Sequence, residues 1–297
     1  MEQFDYQPNL LAGSLRKKKT GTIGLIIPDS SNMLFAKLSR CIEDNLFSKN
    51  YNIIVCNSAY DVRREIEHLK TLRSKMVDGI LIIPATLTGE HLEKIKKAGI
   101  PIIILDRFLP DSSLDTILVD NYRGGYEAAE YLIKLGHRNI GYIDRIYDHS
   151  HSLKRKEGFM DVLKANSLSI NKDNIIRGGF TFYEGVESVR MLIKNNPNLT
   201  AIFAFNDINA LGAIRGLIDL GFRVPEDVSV MGMDDIMLSD IYIPRLSTVH
   251  YPVDEMARVA SKLLQKRIEG PIFKKIEEIT IPIKLIIRES TSRVKNL

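Results

Sequence analysis

Short apolar runs alternate with amphipathic stretches along nearly the whole chain. The first run, Thr22–Pro28, is followed by a stretch that places Phe35, Leu38, Ile42 and Leu46 at helical spacing. Three further apolar runs follow within the first third of the sequence, at 51–58, 79–84 and 101–106. Continuous β-branched runs are typical of strands buried on both faces, and their alternation with helical stretches predicts a parallel sheet.

The same alternation begins again in the second half of the chain. Strands are predicted at Asn139–Asp144, Ala201–Asp207 and Val228–Asp235. Helices are predicted between and after them, over 152–166, 183–195, 208–221 and 253–267. Because this series contains too many strands for one core, the pattern favours an α/β fold of two doubly wound parallel-sheet subdomains. Pro282 interrupts a last predicted strand over 277–288, and we expect the chain to bend or cross between subdomains there.

Composition and charge exclude several classes of protein. The 297 residues are 44% hydrophobic and 26% charged, which is typical of globular proteins and excludes a disordered or fibrous chain. The net charge of +4 is too small to imply a nucleic-acid partner by itself, although Arg16, Lys17, Lys18 and Lys19 concentrate positive charge near the start. No signal-peptide pattern and no apolar run of about 20 residues is present, so we expect a soluble cytoplasmic protein without a membrane partner.

Polar side chains follow several of the predicted strands, at the point where each strand ends. The pairs are Pro28-Asp29, Asp106-Arg107, Asp120-Asn121, Asn206-Asp207 and Asp234-Asp235. Each pair could cap the helix that follows, because Asp and Asn favour that position. The carboxyl ends of parallel strands also form the ligand crevice of open sheets. Five such pairs favour a shared polar pocket over five independent caps.

The sequence contains no pattern typical of a catalytic, metal or nucleotide site. The six histidines lie outside any metalloprotease motif, a nucleophile elbow and a phosphate-binding loop are absent, and Cys41 and Cys56 are predicted to be buried thiols. The remaining candidates suit recognition. Arg155 could bind hydroxyls or a carboxylate with its guanidinium, or lie on a solvated helix face. Phe180 could stack on a ligand, or simply pack in the core.

Several segments then resemble one family in family order across the chain. The motifs are the segment 6–16 (YQPNLLAGSLR) with 20–24 (TGTIG), 135–140 (LGHRNI), 155–159 (RKEGF), 205–207 (FND), 224–230 (VPEDVSV), 231–235 (MGMDD) and 244–249 (PRLSTV). They resemble the hinge segment and effector-binding core of LacI/GalR-family transcription regulators. The resemblance implies two subdomains of periplasmic-binding-protein type joined by three crossings. The implied boundaries are a hinge over 1–20, one subdomain over 21–136 with 250–280, and another over 137–249 with 281–297.

The resemblance also implies roles for individual residues. Arg155, Asn206 and Asp234 would be polar contacts to an effector, and Phe180 would be its stacking wall. The resemblance further places Asn32 and Phe35 on a lid from the other subdomain, with Asp120 near the cleft. His250-Tyr251-Pro252 stands where the family commonly has Arg-Gln-Pro, so Tyr251 would present a phenol to the ligand. This donor and acceptor set suits a sugar, a sugar phosphate or a purine edge.

The resemblance finally implies a DNA partner. Leu15 would either pack the hinge helix against its own domain or act as a wedge in the minor groove, with Arg16 to Lys19 beside flanking phosphates. The family's helix-turn-helix headpiece has no counterpart here, which implies a trimmed form or a chain that has lost its DNA reader. We expect a homodimeric regulator that responds to a ligand and acts as a repressor. We expect it to need no cofactor or metal. The alternatives are a solute-binding protein of a sugar transport system and, third, an enzyme on a doubly wound fold.

Overall fold

The fold contains two sheets of parallel βα units, as the alternation predicts. A computed structural model describes residues 19–84, 89–109, 112–145, 150–270 and 275–294. The chain divides into two compact units and passes from one to the other three times, after Leu118, after Pro252 and after Ile279. The three crossings that the sequence predicts are therefore confirmed, and each unit is described separately below.

The first unit is built around a sheet with the strand order β11-β5-β4-β3-β1-β2. Its strands are β1 (Thr22–Ile27), β2 (Asn52–Asn57), β3 (Gly79–Ile82), β4 (Ile102–Leu105), β5 (Asp115–Val119) and β11 (Glu278–Ile281). Its helices are α1 (Met33–Phe47), α2 (Val62–Ser74), α3 (Gly89–Lys97) and α9 (Val253–Glu269). The residues of β3 and β4 are all buried, as continuous apolar runs predict for central strands.

The second unit repeats this plan with the strand order β12-β10-β9-β8-β6-β7. Its strands are β6 (Ile140–Arg145), β7 (Ile175–Gly178), β8 (Ala201–Ala204), β9 (Ser229–Asp234), β10 (Ser247–His250) and β12 (Lys284–Ile286). Its helices are α4 (Asn121–Lys134), α5 (Ser150–Ala165), α6 (Phe182–Asn195), α7 (Asp207–Asp219) and α8 (Met237–Ile241). β12 runs antiparallel to β10, and Pro282 separates it from β11 as the sequence predicts.

Helix α4 lies in the second unit, whereas the boundary drawn from the sequence at residue 136 placed it in the first. The reason is its close crossing with α5. A Cβ added at Gly125 would lie 1.8 Å from the carbonyl oxygen of Arg155, and one added at Gly158 would lie 2.0 Å from the carbonyl oxygen of Tyr122. The two glycines let the helix backbones touch, and this contact assigns residues 119–136 to the second unit.

The end of the chain is pinned to the second unit by a buried histidine. The His137 ring lies 3.1 Å from the Thr200 hydroxyl through Nδ1 and 3.0 Å from the carbonyl oxygen of Ser292 through Nε2. His137 is 2% exposed, and burial lowers its pKa. The imidazole is therefore neutral at pH 7, with one nitrogen donating to the carbonyl and the other accepting.

Candidate functional site

Five parallel strands of the second unit end at a common edge, and polar side chains follow four of them. Arg145 ends β6, Asn206 follows β8, and Asp234 ends β9, all buried. His250 ends β10 and is followed by Tyr251, which is 2% exposed. Parallel strands point the same way, and open parallel sheets generally bind ligands at the edge where their strands end. We call this common edge the carboxyl edge of the second sheet.

Arg155 extends from α5 to this edge and is 3% exposed. Its Nη2 donates to Asn121 Oδ1 at 2.8 Å, and its Nη1 donates to the carbonyl oxygen of Phe205. Both acceptors are uncharged. The buried Nε has no hydrogen-bond partner among the residues that the structure describes. Because only 3% of Arg155 is exposed, the alternative left open by the sequence, a solvated helix-face arginine, is excluded.

Phe180 follows β7 and has a neighbour that the sequence did not predict. The guanidinium carbon of Arg145 lies 4.2 Å from the centroid of the Phe180 ring, which places a cation over the aromatic face. Phe205 contacts the same ring edge-on, with centroids 6.1 Å apart. One face of Phe180 is therefore already covered by Arg145, and a ligand could stack only on what remains of the ring.

Three of the predicted site residues are helix caps. Asn206 Oδ1 accepts from the backbone N–H of Asn209 at 2.9 Å, and Asp120 Oδ1 accepts from that of Arg123 at 2.9 Å. Asn32 Oδ1 accepts from the backbone N–H of Leu34 at 2.9 Å in the first unit. The capping alternative is confirmed for Asp120 and Asn206, whereas the cap at Asn32 was not predicted from the sequence. A cap uses only one side-chain atom and leaves the others for a ligand.

Asp207, on α7, is a fully buried carboxylate of the second unit. Its Oδ2 accepts from the Ser239 hydroxyl at 2.6 Å and from the backbone N–H of Ile236 at 3.0 Å, and its Oδ1 accepts from the Thr248 hydroxyl at 2.5 Å. Burial raises the pKa of Asp207 to about 6, while these hydrogen bonds act in the opposite direction. The carboxylate joins the start of α7 to the segment after β9 and to β10.

The remaining predicted residues are Phe35 and the five residues of the predicted DNA-binding hinge. Phe35 lies on α1 of the first unit and is half-buried. Lys19 is exposed at the start of the described chain, and Leu15, Arg16, Lys17 and Lys18 lie outside the described residues. The predicted DNA-binding roles of these five residues therefore stay predictions.

Arg145 of the carboxyl edge is not among the residues predicted from the sequence, and Asp207 is named there only as a member of the strand-end pair Asn206-Asp207. The apolar pattern predicts a strand that ends at Asp144, whereas all six residues of β6 are buried and the strand continues to Arg145. Within the described ranges, no group of three or more His, Cys, Asp or Glu side chains could hold a metal ion. The helices described here include none that is long and apolar enough to cross a membrane.

Residues 20–289 match the family model described as periplasmic binding proteins and sugar binding domain of LacI family. The chain is similar to catabolite control protein A of Priestia megaterium (32% identity, 98% of this chain, 88% of the relative). It is also similar to the HTH-type transcriptional repressor PurR of Haemophilus influenzae strain PittEE (33% identity, 99% of this chain, 88% of the relative). A LacI family transcriptional regulator from Enterococcus faecium, solved with bound ribose, has 34% identity and a TM-score of 0.83 over 92% of this chain and all of that structure.

Proposed function

Because the chain belongs to the LacI family of transcriptional regulators, we propose that the carboxyl edge of its second sheet binds a sugar or sugar derivative as effector. The observation that carries this proposal is Arg155, a buried guanidinium whose partners are two uncharged acceptors. Such a group is stabilised when a ligand accepts its hydrogen bonds in place of water.

The chemistry around Arg155 supports a polyhydroxy ligand. The Oδ1 of Asn206 accepts the cap hydrogen bond, so its NH2 group can donate to a ligand. The carboxylate oxygens of the buried Asp234 can accept from hydroxyls. Arg145 covers one face of Phe180, so a ligand that stacks on this ring would use the other face. The similar Enterococcus faecium protein binds ribose, which makes a pentose the first compound to test.

The proposed ligand set includes further residues of the predicted site. Tyr251 is proposed as a contact at the carboxyl edge, Asp120 as a contact from the start of α4, and Asn32 and Phe35 as contacts from the first unit. Effector binding would change the affinity of the regulator for its operator DNA, with Leu15 and the basic residues 16–19 contributing at the hinge. Such a regulator acts in the cytoplasm, needs no cofactor and catalyses no reaction. A transport-type solute-binding protein is not favoured, because the relatives are regulators.

We also propose that the regulator is a homodimer. The second unit exposes three large apolar side chains close together in sequence, Met237 (67% exposed), Ile241 (62%) and Ile243 (84%). Exposed apolar groups of this kind mark protein–protein contacts, and a second copy would bury them. Sedimentation at several concentrations tests this: the wild type should be a dimer and Ile243→Glu largely a monomer. A monomeric wild type would contradict the proposal.

A thermal-shift panel tests the effector proposal. Ribose, other sugars, sugar phosphates and purines are added to the wild type, to Arg155→Met and to Lys154→Met, whose exposed lysine lies beside Arg155 on α5. A ligand at about 100 times its Kd stabilises the wild type by about 2.7 kcal/mol. We expect a shift with a sugar in the wild type and Lys154→Met, and none in Arg155→Met. A shift that Arg155→Met retains would remove Arg155 from the site.

A further inference from the structure

Two consecutive aspartates at the end of β9 adopt a backbone conformation that L-residues rarely occupy. Asp234 has φ 134° and Asp235 has φ 56°. A non-glycine residue in this region is strained, and the strain persists only where the surroundings hold it. Asp234 is the proposed effector contact, so whatever holds this segment also sets the direction of its carboxylate.

The contacts of Asp235 show what holds the segment. His250 Nδ1 donates to its Oδ2 at 2.8 Å, and Arg288 Nη2 donates to its Oδ1 at 2.7 Å. The side chains of Asp235 and Arg288 are 16% and 13% exposed, so water screens the ion pair only weakly. We call Asp235, His250 and Arg288 the clamp.

Backbone hydrogen bonds fix the residues on either side of the clamp. The N–H of Tyr251 donates to the carbonyl oxygen of Asp234 at 3.2 Å, and the N–H of Ile236 donates to Asp207 at 3.0 Å. Asp234 and His250 are also register partners in the β9–β10 pairing. The clamp and these bonds together leave Asp234 one conformation.

His250 lies beside one of the chain crossings, whereas Arg288 lies further along the chain, after β12. His250 comes just before Pro252, after which the chain enters the first unit, and Arg288 follows the return of the chain at Thr280. Arg288 is itself fixed, because its Nη1 donates to the carbonyl oxygen of Leu246 at 2.9 Å. A displacement of this segment would therefore disturb the contacts of both His250 and Arg288.

We propose that Asp235, held by His250 and Arg288, is a positioning residue that keeps the Asp234 carboxylate in its effector-binding direction and links it to the chain crossing after Pro252 and to the segment after β12. This inference rests on the proposed effector role of Asp234. It predicts that the three clamp residues influence effector affinity although they need not touch the effector.

The first test needs no effector. Amide hydrogen exchange of Ile236 and Tyr251 is measured in the wild type, Asp235→Asn, Arg288→Met, Arg288→Lys and the control Glu289→Gln. Glu289 neighbours Arg288 but pairs with Arg245 on the surface. We expect exchange about tenfold faster in Asp235→Asn and Arg288→Met, and largely restored in Arg288→Lys, which keeps a charged donor for Asp235. Exchange in Asp235→Asn equal to that in Glu289→Gln would overturn the proposal.

The second test uses ribose as the probe in calorimetry. Asp235→Asn and Arg288→Met should bind ribose about tenfold more weakly (~1.4 kcal/mol) than the wild type, with Arg288→Lys in between and Glu289→Gln unchanged. Faster exchange with unaltered ribose affinity would refute the positioning role and leave the effector proposal standing. If the wild type does not bind ribose, the choice of ribose fails while the exchange result still decides whether the clamp holds Asp234. If Asp235→Asn does not fold, the comparison of Arg288→Lys with Arg288→Met decides it in the same way.

Discussion

Replacing Asp207 by Asn should stabilise the second unit at neutral pH, although the substitution removes a carboxylate with three hydrogen bonds. The pKa of this carboxyl rises from 3.8 to about 6 because burial disfavours the charged form. A carboxyl with a raised pKa binds its proton more tightly in the folded protein. The stability that it supplies is therefore complete below about pH 3.8 and is lost as the pH rises through about 6.

The size of the effect follows from this shift. The shift of the Asp207 pKa from 3.8 to about 6 corresponds to about 3 kcal/mol of unfolding free energy at pH 7. An asparagine at position 207 can keep the hydrogen bonds, since its amide oxygen can accept from Ile236 and Ser239. The Thr248 hydroxyl can rotate to accept from its NH2 group. Asp207→Asn should thus gain up to about 3 kcal/mol at pH 7, and only about 0.5 kcal/mol at pH 4.

Thermal unfolding between pH 4 and pH 7.5 measures this difference. A gain of about 3 kcal/mol should raise the midpoint of the second unit by roughly 6–12 °C at pH 7. Asp219→Asn is the control, because Asp219 lies at the other end of α7 and pairs with Arg215 on the surface. Its free energy of unfolding should stay within about 0.5 kcal/mol of that of the wild type at each pH. A loss of stability in Asp207→Asn that is the same at pH 4 and pH 7 would show that the three hydrogen bonds require the charge, and would refute the reasoning.

Two further predictions concern the packing of the second unit. Gly125→Ala should destabilise this unit by about 1–3 kcal/mol in urea unfolding and weaken sugar binding, because the added Cβ forces α5, and Arg155 with it, away from α4. A variant with wild-type stability would show that the helix crossing adapts. His137 has a pKa that burial lowers, so its contribution to stability is complete above about pH 6.5 and is lost as the pH falls through its folded pKa. In His137→Gln, the thermal midpoint should fall less between pH 7 and pH 5 than it does in the wild type. An equal fall in the two proteins would contradict this.

The alternation of apolar runs and amphipathic stretches was enough to predict both sheets. The residues of β3 and β8 are all buried, so their runs are continuous and unambiguous. The division into units was harder, because it depends on which helices touch. Only the close approach at Gly125 and Gly158 assigns α4 to the second unit, and no local pattern distinguishes these glycines from glycines at a helix start.

The burial of Arg155 could have been predicted from helical spacing. Arg155, Phe159 and Val162 recur at intervals of four and three, and all three are buried on one face of α5. The position of Arg145 could not, because it depends on one more residue of β6 and on Phe180 from a distant part of the chain. Contacts between residues far apart in sequence carry no local signal.

The two interpretations of the strand-end residues, cap and ligand contact, are compatible at the level of atoms. The Asn206 oxygen accepts from the N–H of Asn209, which fixes the side chain, and the same bond orients the NH2 group that the cap does not use. A free asparagine would lose rotamer freedom on binding a ligand, whereas a capping asparagine has already lost it on folding. Helix caps at the carboxyl ends of parallel strands are therefore preorganised hydrogen-bonding groups, which is why capping residues at these positions favour a binding site instead of arguing against one.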